Sequence, residues 1–295
     1  MTQSLIVVFY NNGQHSFPNR YLGGPLSVQI SGTLKNGTIF NLVAPATDGA
    51  LIESSGGHIK GDWKGTGSSF AGKYLESGSP EYKVEINNPS LDIHGSLTLR
   101  SISPPHYPCA GDGPGVSEEL IPNIYWANAQ PDAAAIVDLT INGDPLKFKG
   151  VGYHDKNWGA EPVEKTVKSW YWGHGRLGPY SLVWFDTVTL DGKEHFSSWV
   201  TKEDKIVSQN CTPGSIVVRP WGANSEFPPP TGADAPSGYT VRYDMGMEGV
   251  LLAKFTQEAV VQNADFYKRM IGSISGGIVG GEQYKGRALC EQFQF

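Results

Sequence analysis

Cysteine is scarce in this chain. Cys109, Cys211 and Cys290 stand far apart, their number is odd, and no Cys-x-x-Cys occurs. That pattern supports neither a zinc knuckle nor a disulfide framework. No apolar run approaches eighteen residues, so no membrane span is expected. The start of the sequence carries no basic segment followed by an apolar core and a small-residue cleavage site. A soluble, cytoplasmic protein is therefore the default expectation. Charge of one sign is not concentrated either. Lys and Arg total 23 against 29 Asp and Glu, and they are interspersed, which argues against nucleic acid as a partner. Helical heptads are missing. So are a G-x-G-x-x-G after a strand, a phosphate loop, H-E-x-x-H, an EF-hand loop and a G-x-S-x-G elbow. No metal or organic cofactor is expected from such a sequence.

What is present is glycine (37), proline (20) and a high share of aromatics (11%). That composition favours short strands joined by turns, an all-β chain long enough for two domains. Leu5 to Tyr10 reads as a buried strand. Leu26 to Leu34 alternates, and Asn36-Gly37 turns it back into Thr38 to Val43. Tyr82 to Ile86 and Leu91 to Ser101 form another pair, separated by Asn87-Asn88-Pro89. Pro104 to Gly115 is a long irregular loop of the kind that often carries function. Ala133 to Ile141 alternates up to a second Asn-Gly turn, and the domain boundary is set there, giving 1–146 and 147–295. Strands follow at intervals to the end, with Asp265 to Met270 read as a short helical turn. Asn36-Gly-Thr and Asn210-Cys-Thr match the glycosylation pattern, which is common by chance.

One stretch is denser in polar and aromatic groups than any other. It runs Gly150-Val-Gly-Tyr-His-Asp-Lys-Asn-Trp-Gly159 and continues with Ser169-Trp-Tyr-Trp-Gly-His-Gly175. In the second piece Trp170, Trp172, His174 and Arg176 share one face of a strand, and Tyr171, Gly173 and Gly175 the other. Such a strand suits a cavity wall and core packing equally. His154 and Asp155 are adjacent, so on a strand they point apart and make a poor acid–base pair unless the segment bends. As buried polar groups they could equally serve by hydrogen-bonding backbone at such a bend.

Several long motifs together carry a family resemblance: PPHYPCAGDG, IPNIYWANAQPDAAAIVDLTING, GVGYHDKNWG, SWYWGHGRLGPYSLVWFD, VVRPWG and GGEQYKGRALCEQF. The chain resembles the fungal Diels–Alderase (pericyclase) family over nearly its whole length. More distantly it is similar to carotenoid 1,2-hydratase and AttH-like proteins, through Tyr-His-Asp-x-Asn-Trp-Gly. The resemblance implies an N-terminal β-sandwich followed by a C-terminal lipocalin-like β-barrel. It implies cofactor-free ring closure on a polyketide, terpenoid or alkaloid intermediate, in an apolar pocket at or near the domain interface. Family members begin with a further strand region bearing a Trp-x-Phe-Asp-like motif. None precedes Leu5, so upstream sequence is expected to be missing.

Two enzymatic readings and one binding reading follow. In a cycloaddition, an aromatic pocket would hold a flexible substrate in its reactive geometry while a donor polarises a carbonyl. Tyr125, Trp126, Tyr171, Trp172, Tyr180 and Trp184 are the candidate walls, and His154, Asp155, Asn157 and His174 the candidate catalytic groups. In an acid-catalysed hydration, cyclisation or isomerisation of an alkene or epoxide, Asp155 or His154 would deliver the proton, with burial raising the aspartate's pKa. A lipocalin-like carrier would bind an apolar metabolite without changing it.

Overall fold

The structure, a computed structural model, describes residues 2–12, 24–74 and 78–295. Regular structure among them is almost wholly β, in twenty strands, and the expected sandwich and lipocalin-like barrel are both present. The described chain forms two compact units. One comprises Met1–Ile102 and Ala133–Gly152, the other Ser103–Asp132 and Tyr153–Phe295. A single cut near residue 146 is thus replaced by an interleaved division, because two long strands, β10 (Ile124–Ile141) and β11 (Asp144–Gly159), each contribute to both units. The Gly150–Gly159 stretch is not a bend; it is the second half of β11.

In the first unit, β1 (Ser4–Asn11), β2 (Leu26–Thr33) and β3 (Ile39–Pro45) form a small antiparallel sheet. The strands β4 (Ala50–Ser55), β5 (His58–Trp63), β6 (Ser68–Tyr74), β7 (Pro80–Asn88) and β8 (Ile93–Ser101) form a meander that continues into β10 and β11. Val28, Ile30 and Phe40 of the small sheet meet Trp63, Ile86, Ile93, Val137, Leu139 and Ile141 of the large one, and together they form the sandwich core. Alternation selects these residues, since successive side chains of a strand point to opposite faces. Asn142 and Gly143 both have positive φ (50° and 80°). The tight two-residue turn needs that geometry, and it is why this dipeptide is readable from sequence.

In the second unit, β9 (Glu119–Ile121) pairs with the start of β10. Nine strands make one antiparallel sheet: β12 (Val167–Leu177), β13 (Tyr180–Thr189), β14 (Glu194–Lys202), β15 (Lys205–Asn210), β16 (Ile216–Trp221), β17 (Gly238–Asp244), β18 (Val250–Ala264), β19 (Tyr267–Ile278) and β20 (Tyr284–Gln294). Their order is β15-β14-β13-β12-β20-β19-β18-β17-β16. The sheet curls, so that β16 at one end lies beside β13 and β14 near the other. The helical turn expected over Asp265 to Met270 is absent. Residues 265–266 are a tight turn and Tyr267 already pairs in β19, because the alternation of the following residues buries them against the sheet interior. Among the described residues no helix is long and apolar enough to cross a membrane.

A second correction concerns cysteine. Cys109 in the 104–115 loop is disulfide-bonded to Cys211, 102 positions away, while Cys290 is free and buried. The spacing looks unpromising because nothing local brings these residues together. The bond, with Ser197 donating to the Pro108 carbonyl (2.5 Å), fastens the loop to the end of the β14–β15 hairpin. A closed loop of this length is worth up to about 4–5 kcal/mol in the chain-entropy picture. Cys109→Ser with Cys211→Ser should therefore lower the melting temperature by on the order of 10 °C. Unreduced, denatured protein should titrate one thiol, that of Cys290. Three titrating thiols, or an unchanged melting temperature, would contradict the pairing.

Candidate active site

Strands β12, β13 and β14 feed two distinct clusters in the second unit, one from each face. On the outer face, Trp170 and Trp172 join Val183, Phe185, Trp199 and Trp126 in one apolar group, with Tyr153 packed against it. Tyr153 stacks on His174 (4.4 Å between ring centres) and lies 5.2 Å from Trp172. The Trp126 indole N–H donates to Asp155 Oδ2 (2.8 Å), and the Tyr153 hydroxyl lies between that oxygen (3.0 Å) and Asn128 Oδ1. Farther along the same face, Arg176 grips Asp132 with two N–H groups (2.9 and 2.6 Å), and Ser181 also donates to that carboxylate. Asp132 is 2% exposed, so its charge is matched where it is buried.

His106, from the disulfide-bound loop, stacks on Trp199 (5.0 Å) and approaches Trp126 edge-on (5.9 Å). Its Nδ1 lies 2.8 Å from the Tyr107 carbonyl, which can only accept. The proton therefore sits on Nδ1, and Nε2 is left as a bare acceptor with no partner.

The inner face of the curled sheet holds a different set. Tyr171, Tyr180, Trp184, Tyr239, Tyr243, Phe255 and Cys290 line it with aliphatic neighbours. The Trp184 ring lies over Gly173, where a Cβ would meet it at 2.2 Å. The bare face read from the sequence is thus the space that this indole occupies. Asp186 is also on the inner face, 1% exposed, accepting at Oδ2 from the Val218 backbone N–H (2.9 Å) and from Arg219 (3.0 Å). Arg219 also donates to Glu194 (2.7 Å) and lies against the Phe227 ring (3.7 Å).

The sequence-derived residues therefore separate. Trp126, Asp155, Trp172 and His174 come together on the outer face; Tyr171, Tyr180 and Trp184 are inside. Tyr125 is on the other face of β10 from Trp126 and stacks on Trp158 (5.8 Å). Asn157 is exposed near the end of β11, and His154 points away from its neighbours Tyr153 and Asp155. Sequence reasoning missed Tyr153, Asn128, His106, Asp186, Glu194 and Arg219. For Asp186 a signal existed: it is the one charged residue in the run Tyr180 to Thr189, two places beyond Trp184 and so on its face.

Protonation distinguishes the two clusters. Burial lowers His106 and His154 to about 4, although the Tyr107 carbonyl partly supports the charged form of His106. Burial, with the Arg176 charge added, lowers His174 to about 3. All three are neutral at pH 7. Burial raises Asp155 to about 6 against the two donors on it, so at pH 7 it is mostly carboxylate. Burial raises Asp186 to about 8, so it is mostly acid.

The histidines have a measurable consequence. An unfolded imidazole takes up a proton below about pH 6.5, which a folded one refuses until about pH 4. Their contribution to stability is full above pH 6.5 and is lost as pH falls toward 4. For fully buried His106 this amounts to about 3 kcal/mol. Raised carboxyls work in the opposite sense, so the comparison must be with a variant. His106→Phe should lose about that much less stability than the parent between pH 7 and pH 4 in urea unfolding. Equal losses would show that His106 is not held neutral.

Comparison with known proteins agrees with this architecture. The Diels-Alderase-like family matches residues 1–214. The quinolone epoxide rearrangement protein penF of Penicillium thymicola is 60% identical over 293 residues, covering 99% of this chain and 81% of that protein. The quinolone epoxide rearrangement protein asqO of Emericella nidulans is 53% identical, covering 99% and 79%. Among solved structures, CghA superposes with a TM-score of 0.77 at 18% identity, over 99% of this chain and 84% of that one. A putative AttH from Nitrosomonas europaea gives 0.57 at 12%, over 91% and 81%. The chain belongs to the Diels-Alderase-like family and is an enzyme of the cyclase or isomerase kind.

Proposed function

We propose that this enzyme rearranges an epoxide carried by a quinolone-type small molecule, by acid catalysis. The observation that carries this reading is the likeness, along 99% of the chain, to two quinolone epoxide rearrangement proteins at 60% and 53% identity. The chemistry of the second unit supports it. An epoxide opens when its oxygen is protonated, and a positioned acid contributes roughly 100- to 10,000-fold to such a step. Two buried carboxyls of raised pKa, Asp155 and Asp186, are available, whereas the neutral histidines are not acids at pH 7. Opening places positive charge on carbon. Aromatic faces stabilise a nearby cation by about 0.5–2 kcal/mol each. Tyr171, Tyr180 and Trp184, on the inner face with Asp186, are the rings we assign to that task.

Cycloaddition is the second reading, favoured by the family match over residues 1–214. It would use the same aromatic surfaces to preorganise a polyene, without needing an acid. The Cys109–Cys211 bond favours an oxidising compartment over the cytoplasm.

Purified enzyme incubated with a quinolone epoxide tests the reading. The expected product has the mass of the substrate. A diol, heavier by one water, would make the enzyme a hydrolase. An untouched epoxide, together with cyclisation of a linear polyene, would favour cycloaddition.

A further inference from the structure

We propose that Asp186 is the proton donor of this reaction, that the Arg219 guanidinium holds it beside Glu194, and that the substrate oxygen it protonates lies inside the curled sheet within reach of Tyr171 and Trp184. This rests on the epoxide reading above and assigns its acid and its binding surface.

The carboxyl pair has a particular geometry. Both hydrogen bonds to Asp186 fall on Oδ2, from Val218 N–H and Arg219 Nη1; Oδ1 has no donor. Arg219 holds Glu194 beside Asp186, and the Glu194 charge favours a proton on Asp186. Arg219, with Nη1 on Asp186 and Nη2 on Glu194, supplies one positive charge to two carboxyls, and a proton on Asp186 offsets the rest of the repulsion. The two ends differ in access. Asp186 is 1% exposed, while the Glu194 side chain is 28% exposed. Asp186 is the end inside the sheet.

The polar atoms around Asp186 point the same way. Tyr171 is directly opposite it in the β12–β13 register, and Trp184 is two residues away on the same face. The Tyr171 hydroxyl and the Trp184 indole N–H are both buried without a partner. Buried polar atoms in native proteins are nearly always paired, so such a group calls for an explanation. An indole N–H only donates, a protonated carboxyl and a phenol can donate, and the charged groups facing Asp186 are Glu194 and Arg219. A donor-rich interior fits a ligand oxygen that carries no hydrogen, such as an epoxide or carbonyl oxygen. The raised affinity of Asp186 for its proton is consistent with this role. Burial is the largest cause, Val218 N–H opposes it, and Glu194 adds to it.

The step balances without a co-reactant. Asp186 passes its proton to the epoxide oxygen. The C–O bond breaks with its electron pair on oxygen, giving a hydroxyl and an electron-poor carbon. A neighbouring group migrates to that carbon with its bonding pair. The hydroxyl O–H pair then closes a C=O bond, and the proton returns to the Asp186 carboxylate.

The test uses Asp186→Asn, Glu194→Gln and the parent with a quinolone epoxide. The amide of the Asp186→Asn variant keeps an acceptor for the Val218 N–H but has no acidic proton. A folded variant with the parent's melting behaviour should lose about 100- to 10,000-fold in kcat. Glu194→Gln removes the neighbouring negative charge, so its rate should fall at a lower pH on the alkaline side than the parent's, whose limb is expected near pH 8. A folded Asp186→Asn enzyme within tenfold of the parent overturns the proposal and leaves the epoxide reading standing. If Asp186→Asn does not fold, an unmoved alkaline limb in Glu194→Gln overturns it instead. A parent that leaves the epoxide unchanged overturns both.

Discussion

One buried carboxyl closes the second unit. The nine-stranded sheet curls until β16 lies beside β13 and β14, but these strands form no ladder with one another. An end strand left this way presents backbone N–H groups with nothing to bond. Asp186 accepts the one on Val218, and Arg219 ties the same carboxyl to Glu194. β13 is buried along all ten of its residues, so every polar group on it must be satisfied by the protein or by a ligand. The seam satisfies Asp186 Oδ2. It leaves Oδ1 on an interior where solvent is excluded and an extra proton is favoured.

The same constraint explains why a barrel strand can serve two clusters. Because β12, β13 and β14 are covered on both faces, alternation sorts their residues into two sets with almost no exposed remainder. Trp172 faces the Tyr153–Asp155 network and Tyr171 faces Asp186, though they are consecutive. The outer network is dense in matched hydrogen bonds: Trp126 and Tyr153 on Asp155, Arg176 and Ser181 on Asp132. Saturated carboxylates of this kind rigidify a site. Beside Asp186, the inner set keeps the Tyr171 hydroxyl and the Trp184 indole N–H without an acceptor.

Much of this was legible in the sequence. The period of two in Ser169 to Arg176 divided Trp172 from Tyr171 correctly, and the Asn-Gly pairs marked real hairpins. The glycine face of that strand is where the Trp184 ring lies, which the spacing did not announce. What was not legible depends on contacts far apart in the chain. Cys109 and Cys211 are 102 residues apart, and no local pattern announces their pairing. β10 and β11 each belong to two units, so their alternation gave no sign of a boundary. Asp186 needs Val218 and Arg219, over thirty positions away, before it can be told from any aspartate ending an apolar strand. His154 drew attention as half of a His-Asp pair, but strand geometry turns it away from Asp155.

Acid catalysis from inside the sheet requires that the folded chain hold Asp186 as a neutral acid at pH 7. Infrared difference spectroscopy between the parent and Asp186→Asn, at pH 7 and again above pH 9, measures this without any substrate. The parent should show a protonated carboxyl C=O band at pH 7 that the variant lacks. The band should disappear as pH rises through about 8, while a carboxylate band grows in its place. A carboxylate band at pH 7 with no protonated partner would mean that Asp186 serves only as the latch between β13 and β16.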